Sequence, residues 1–132
     1  MVLVDTSVWI RWFRSGSLKD ADQLLTVVTC SPILQEIMQG FDELPAHGKL
    51  RTQLLSIPRL ADPIPVDMFL SAADIYRTAR RKGYKIRSSV DCVIAAIAIQ
   101  NDVPLMHVDG DFDAIACFTQ LRIAKPFPSN TR

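Results

Sequence analysis

This chain has no G-x-S-x-G elbow, no G-x-x-x-x-G-K-[ST] phosphate loop and no G-x-G-x-x-G turn. Their absence removes the serine-hydrolase, P-loop and dinucleotide-binding readings. There is no C-x-x-C pair either. Cys30, Cys92 and Cys117 are odd in number and far apart. Neither a disulfide framework nor a zinc site is indicated, and a reduced, cytoplasmic setting is expected. The two histidines, His47 and His107, lack metal-ligand spacing. The formal net charge is only +1, so any nucleic-acid surface has to be a local patch. Long apolar runs are missing as well. The longest uncharged one, Cys92 to Ile99, is too short to cross a bilayer, and Asp5 interrupts the first run too early for a signal peptide. No membrane association is expected.

What is present is enough for one domain over 1–132 with its own core, since 48% of the 132 residues are hydrophobic. Only 126–132 reads as a loose tail. Val2-Leu3-Val4, Val27 to Cys30, Leu105 to Val108 and Leu121 to Ala124 read as short strands. Helices are expected over Val8 to Arg14, Leu18 to Leu25, Leu44 to Ile57, Val66 to Lys82, Ser88 to Gln100 and Phe112 to Cys117. A further helix starts at Pro32 with Ser31 as its cap and ends at Gly40. Pro58 to Pro65 is proline-punctuated and reads as a short edge strand or a plain connector. Strands alternating with helices give a parallel α/β sheet.

Acidic residues are placed at points that this pattern makes informative. Asp5 and Asp109 come straight after buried strands. Glu36 lies off the apolar stripe of its helix. Asp91 opens a helix that is otherwise apolar almost all round. Each acid has an ordinary structural reading. Asp5 or Thr6 would cap a helix, Ser88-x-x-Asp91 has the form of a capping box, Asp109-Gly110-Asp111 would be a turn, and Glu36 would be a surface residue. Together they read differently. The carboxyl edge of a parallel sheet is where sites form, and carboxylates gathered there need a counter-charge. No Lys or Arg lies in the apolar segments around them. Hard divalent cations prefer oxygen ligands, so a Mg²⁺ or Mn²⁺ site and phosphoryl chemistry follow. A calcium loop at Asp109-x-Asp111-x-Asp113 fits worse. Ala114 stands where that loop needs Gly, and Gln120 where it needs a bidentate acid.

The motifs, taken in order, resemble those of PIN-domain ribonucleases of the VapC toxin type. Val2-Leu3-Val4-Asp5-Thr6-Ser7-Val8-Trp9 resembles the first motif of that family, and Glu36-Ile37-Met38-Gln39-Gly40 its glutamate helix. Arg87-Ser88-Ser89-Val90-Asp91-Cys92-Val93-Ile94-Ala95-Ala96 resembles the third motif, and His107-Val108-Asp109-Gly110-Asp111-Phe112 the last. The resemblance implies a three-layer α/β/α sandwich around a mostly parallel sheet of four to five strands. It implies a Mg²⁺- or Mn²⁺-dependent endoribonuclease, the toxin of a toxin–antitoxin pair. The partners it implies are a VapB-like antitoxin, a tRNA or rRNA substrate and a second copy of the chain. Its catalytic and metal-binding acids would be Asp5, Glu36, Asp91 and Asp109, with Asp111 as a fifth candidate ligand and Thr6, Ser7 and Ser88 in support.

Arg77, Arg80, Arg81, Lys82, Lys85 and Arg87 form a basic run with no acid between them. A solvated helix end is one reading. A phosphate track leading RNA to the metal is the other, with Arg87 its best member and Lys85, Arg81 and Arg77 behind it. Trp9, Trp12 and Phe13 read first as core, next as a docking surface and last as a stacking platform for bases. Two rival functions remain at this stage: a PIN-like nuclease in RNA or DNA processing without an antitoxin, and a non-catalytic, metal-stabilised interaction domain. An aspartyl-phosphate enzyme fits worse, because Asp5 is followed by Thr6-Ser7 rather than a second acid.

Overall fold

The structure, a computed structural model, describes residues 1–15, 21–40, 47–108 and 110–125. Asp109, the expected helix starts at Leu18 and Leu44, and the tail from Pro126 lie outside the described residues.

The core is a parallel sheet of four strands: β1 (Val2–Val4), β2 (Val27–Val28), β3 (Leu105–Met106) and β4 (Ile123–Ala124). Their order in the sheet is β2-β1-β3-β4. Leu3 pairs with Val28 on one side and with Leu105 on the other, which makes β1 central. The residues of β1, β2 and β3 are all buried, so these strands are continuous apolar runs rather than alternating ones. Helices on both faces complete the three-layer α/β/α sandwich. The chain moves from β1 outward to β2, then returns to place β3 on the other side of β1. The crevice beyond the ends of β1 and β3 is therefore the topological switch point, where open α/β sheets bind ligands.

Six α-helices are described: α1 (Thr6–Ser15), α2 (Ser31–Gly40), α3 (His47–Leu55), α4 (Val66–Arg81), α5 (Ser89–Gln100) and α6 (Asp111–Ala116). On α4 the buried residues Met68, Ala72, Ile75 and Ala79 recur at helical spacing and form the inward face. This helix packs chiefly on α5. Buried alanines on both helices (Ala72 and Ala79, Ala95 and Ala98) keep the contact face small-sided. A Schellman turn ends α4. The Tyr84 N–H reaches the Ala79 carbonyl at 2.9 Å, the Gly83 N–H reaches that of Arg80 at 3.1 Å, and Gly83 has φ +86°. Glycine adopts that left-handed conformation without a Cβ clash. The turn directs Lys85 to Arg87 toward the strand ends.

Several local expectations shift. The second helix is a 3₁₀ segment over Ala21–Thr26, since the chain enters β2 at the next residue and leaves no room for a regular helix end. The second strand stops at Val28, and Cys30 is given over to α2: its carbonyl accepts from Ile33 at 3.1 Å and Leu34 at 3.2 Å, so Cys30 rather than Ser31 precedes the first turn. Pro58 to Pro65 touches the sheet edge through one parallel bridge, Thr29 to Arg59. Trp9 and Trp12 are buried edge-to-face, with centroids 5.2 Å apart, and Phe13 stacks on Trp9 from a half-buried position. The core reading therefore holds for both tryptophans. No described helix is long and apolar enough to cross a membrane.

Candidate active site

Asp5 ends β1 and starts α1. Its N–H bonds to the Met106 carbonyl of β3 at 2.9 Å, and its own carbonyl accepts from Val8 at 3.1 Å and Trp9 at 3.3 Å. The residue is 5% exposed. One oxygen, Oδ2, accepts the Ser7 N–H at 3.1 Å and the Ser7 hydroxyl at 2.5 Å. The capping reading of Asp5 is thus correct, but it uses one oxygen only. Among the described residues Oδ1 accepts nothing. Ser7 Oγ also accepts the Val108 N–H at 3.3 Å, so a single hydroxyl ties the end of β1 to the chain leaving β3.

Thr6 donates its hydroxyl to Glu36 Oε1 at 3.4 Å, which brings α2 to the same edge. Burial pushes the half-buried Glu36 carboxyl above its ordinary range. The negative charge of Asp5 adds to this, while the Thr6 bond works against it. The charge on Asp5 is therefore felt at Glu36. Cys30, buried beside both, has its thiol pushed up to about 12 by burial first and then by these two acids, against the Ile33 backbone bond.

Asp91 lies in the first turn of α5 and is 8% exposed. Ser88 precedes that helix but makes no side-chain cap bond, so the capping box is not formed. Asp111, also 8% exposed, opens α6, and its Oδ2 accepts the Arg87 backbone N–H at 3.1 Å. Asp91 and Asp111 both bear on Cys92, whose thiol is pushed up to about 11 by burial first and then by these two charges. Burial is the main cause at both thiols, and both cysteines are structural members of the core.

The structure therefore joins Asp5, Thr6, Ser7 and Glu36 in one bonded group, and places Asp91 and Asp111 together around Cys92. A cleft is bounded by Glu36 of the first group and by Val90, the chain neighbour of Asp91. Among the described residues no three His, Cys, Asp or Glu side chains form a metal-ligand set by themselves. The basic run divides. Arg77 pairs with Asp74 on its own helix, and Arg81 leans on Thr78. Lys85 and Arg87 are exposed, and Arg87 has its backbone fastened to Asp111. Sequence reasoning missed that fastening, and with 24 residues between the two partners no local signal reveals it. It also missed the two buried thiols. His107, just beyond β3, bonds through Nε2 to Asp113 at 2.9 Å, which fits its expected structural role.

The model of the PIN domain matches residues 2–116, a span that contains all of these acids. The chain belongs to the PIN-domain family. Among curated PIN relatives it is 38% identical to ribonuclease VapC11 of Mycobacterium tuberculosis, over 94% of this chain and 98% of that protein. A VapC ribonuclease of Mycobacterium bovis matches with the same identity and coverage. The PIN fold is also that of solved VapBC structures. VapBC2 from Rickettsia felis, bound to a promoter DNA fragment, superposes with a TM-score of 0.71 at 14% identity, over 96% of this chain and 100% of that one. VapBC-1 from nontypeable Haemophilus influenzae gives 0.70 at 19% identity, over 95% and 98%.

The donor set of this PIN chain suits a hard divalent cation. Every acid at the edge offers carboxylate oxygen, one oxygen of Asp5 accepts no hydrogen bond among the described residues, and the Glu36 carboxyl is raised by burial first and by the Asp5 charge second. Among the described residues no ion pair involves Asp5, Glu36 or Asp111.

That shift has a measurable consequence. A carboxyl whose pKa is higher in the folded than in the unfolded state binds more protons when folded, so stability falls as pH rises through the interval between the two values. The interval opens near the ordinary glutamate value of about 4.3. Metal-free Glu36→Gln lacks this loss. Its melting temperature is expected to rise relative to the parent as pH climbs from below that value to neutrality. Thermal melts in EDTA across this range check it, and parallel curves would mean that folding does not raise the proton affinity of the Glu36 carboxyl.

Proposed function

We propose that this protein is a Mg²⁺- or Mn²⁺-dependent endoribonuclease, the toxin of a toxin–antitoxin pair. It acts in the cytoplasm on a tRNA or rRNA, forms a homodimer and is held in check by a cognate VapB-like antitoxin. One observation carries the reading: Asp5, Glu36, Asp91 and Asp111 lie at the carboxyl edge of the sheet, and Asp5, Glu36 and Asp111 have no cationic side chain paired to them among the described residues. The relatives at 38% identity carry the name ribonuclease, and the superposing structures are VapBC complexes; both support the same reading.

In this proposal Asp5, Glu36, Asp91 and Asp109 are the catalytic acids and metal ligands, and Asp111 is a fifth candidate. A bound cation supplies polarisation of the phosphoryl oxygen and a lowered pKa for an attacking water. The chain's own groups do the rest. Ser7 holds Asp5 through Oδ2 and leaves Oδ1 without a hydrogen bond among the described residues, available to a ligand. Thr6 occupies Glu36 Oε1 and leaves Oε2, on a carboxyl of raised proton affinity, to take a proton. Ser88 sets the start of α5 and with it Asp91. Arg87, exposed and anchored at Asp111, supplies positive charge nearest the acids for the RNA backbone. Lys85 adds to it, while Arg81 and Arg77 are tied to their own helix.

The test is direct. The purified chain is expected to cut single-stranded RNA in Mg²⁺ or Mn²⁺ and to stop in EDTA, and gel analysis of labelled RNA reads it. Undiminished cutting in EDTA would remove the metal from the mechanism.

A further inference from the structure

A cleft of about 320 Å³ opens beside the acids, lined by Pro32, Gln35, Glu36, Gln39 and Val90. Its size lies at the lower end of the ~300–1,000 Å³ usual for small-ligand clefts. Four of the lining residues come from α2 and one from α5, two helices in contact. Only Glu36 belongs to the acid group. The other four serve neither the core nor the chemistry described above.

Gln35 and Gln39 are one helical turn apart, so their side chains stand on the same face. Both are exposed, and among the described residues neither amide takes part in a hydrogen bond. A primary amide offers a donor and an acceptor side by side, the pattern that pairs with the edge of a nucleobase. Val90 is 37% exposed although it stands between Ser89 and the buried Asp91 at the start of an otherwise apolar, buried helix. With Pro32 across the cleft, it offers apolar surface for the face of a planar ring. Sequence-specific RNA recognition uses unpaired bases held in this way, by surface against the ring and hydrogen bonds along its edge.

We propose that this cleft is a base-recognition subsite: it takes the unpaired nucleobase next to the scissile phosphate, and Gln35 and Gln39 read its edge. The position follows from Glu36, which the cleft shares with the acids. A base lying there has its own phosphate at the sheet edge. The amide chemistry favours adenine, whose exocyclic amino group lies next to a ring nitrogen on two edges, N6/N1 and N6/N7. This inference rests on the ribonuclease reading and adds to it the residues that choose where the RNA is cut.

The experiment maps cut ends at nucleotide resolution in a mixed-sequence single-stranded RNA with Mn²⁺. It uses the full chain, Gln35→Ala/Gln39→Ala and Gln39→Glu. Both glutamines are solvent-facing, so circular dichroism and melting should match the parent, within the small range typical of surface changes. The parent is expected to enrich one base, adenine, roughly tenfold or more at a position flanking the cut, as a bidentate contact allows. The double alanine variant is expected to flatten that enrichment. Gln39→Glu, which keeps an acceptor and loses the donor, is expected to move the preference toward cytosine, whose amino group pairs with a carboxylate. An unchanged base bias in the double variant, with cutting still metal-dependent, overturns the subsite and leaves the nuclease standing. RNA left intact by the parent in both Mg²⁺ and Mn²⁺ overturns the nuclease and the subsite together, so the parent alone separates the two failures.

Discussion

Asp91→Asn is expected to slow RNA cleavage on the order of a hundredfold or more, as loss of one preorganised electrostatic group does. The residue is buried in the first turn of α5, and its charge and that of Asp111 both act on Cys92. Asparagine keeps the shape and one acceptor oxygen but removes the charge that would hold a cation. Stability should change little. Losing a negative charge at a helix N-terminus costs about 0.3–1 kcal/mol, and removing one of several crowded carboxylates offsets part of that in the metal-free protein. Ser88 makes no capping bond that the change would break. Single-turnover cleavage together with a melt in EDTA distinguishes the outcomes. Full activity with an early melt would make Asp91 a structural cap.

Phe112→Ala is expected to cost about 3–5 kcal/mol of folding stability, the range for deleting a large buried aromatic side chain. Phe112 is a fully buried aromatic side chain and lies between two aspartates of different roles. Asp111 faces the Arg87 backbone and Asp113 holds His107, while the Phe112 ring sits 5.2 Å from the His107 ring. Its burial fixes the rotation of α6 and therefore the direction in which Asp111 points. Urea unfolding measures the loss. A cost below about 1 kcal/mol, typical of surface changes rather than core deletions, would show that α6 is held by other contacts.

Much of this arrangement is legible in the sequence because it depends on short-range physics. Val2 to Val4 has to be a buried strand, and a chain that leaves such a strand at Asp5-Thr6-Ser7 has to cap the next helix. The apolar run of α5 needs a central place, and Gly83 marks the end of α4 at the left-handed position. The parallel α/β architecture follows from that alternation. What escaped are relations between distant segments. The Arg87 N–H on Asp111, the Thr6 hydroxyl on Glu36 and the shared Ser7 hydroxyl are set by packing across the sheet edge. The burial of Trp9 and Trp12 was legible, because an amphipathic helix with three aromatics has to cover one face. The cleft at Gln35 and Gln39 had no signal at all. Two glutamines on a helix surface are unremarkable until Val90 of another helix stands opposite.

The bond from the Arg87 amide to Asp111 also makes one hydrogen in the protein a natural reporter. An amide proton exchanges with solvent only when its bond opens, and Arg87 is otherwise in an exposed stretch where exchange is fast. Its protection therefore depends on a single carboxylate oxygen at the acid edge. Whatever draws Asp111 away, a cation or a partner's cationic side chain, would release that hydrogen, and whatever stiffens the edge without recruiting Asp111 would slow its exchange. Occupancy at the sheet edge thus has a readout at one backbone position on the basic segment, independent of turnover and visible in the intact protein.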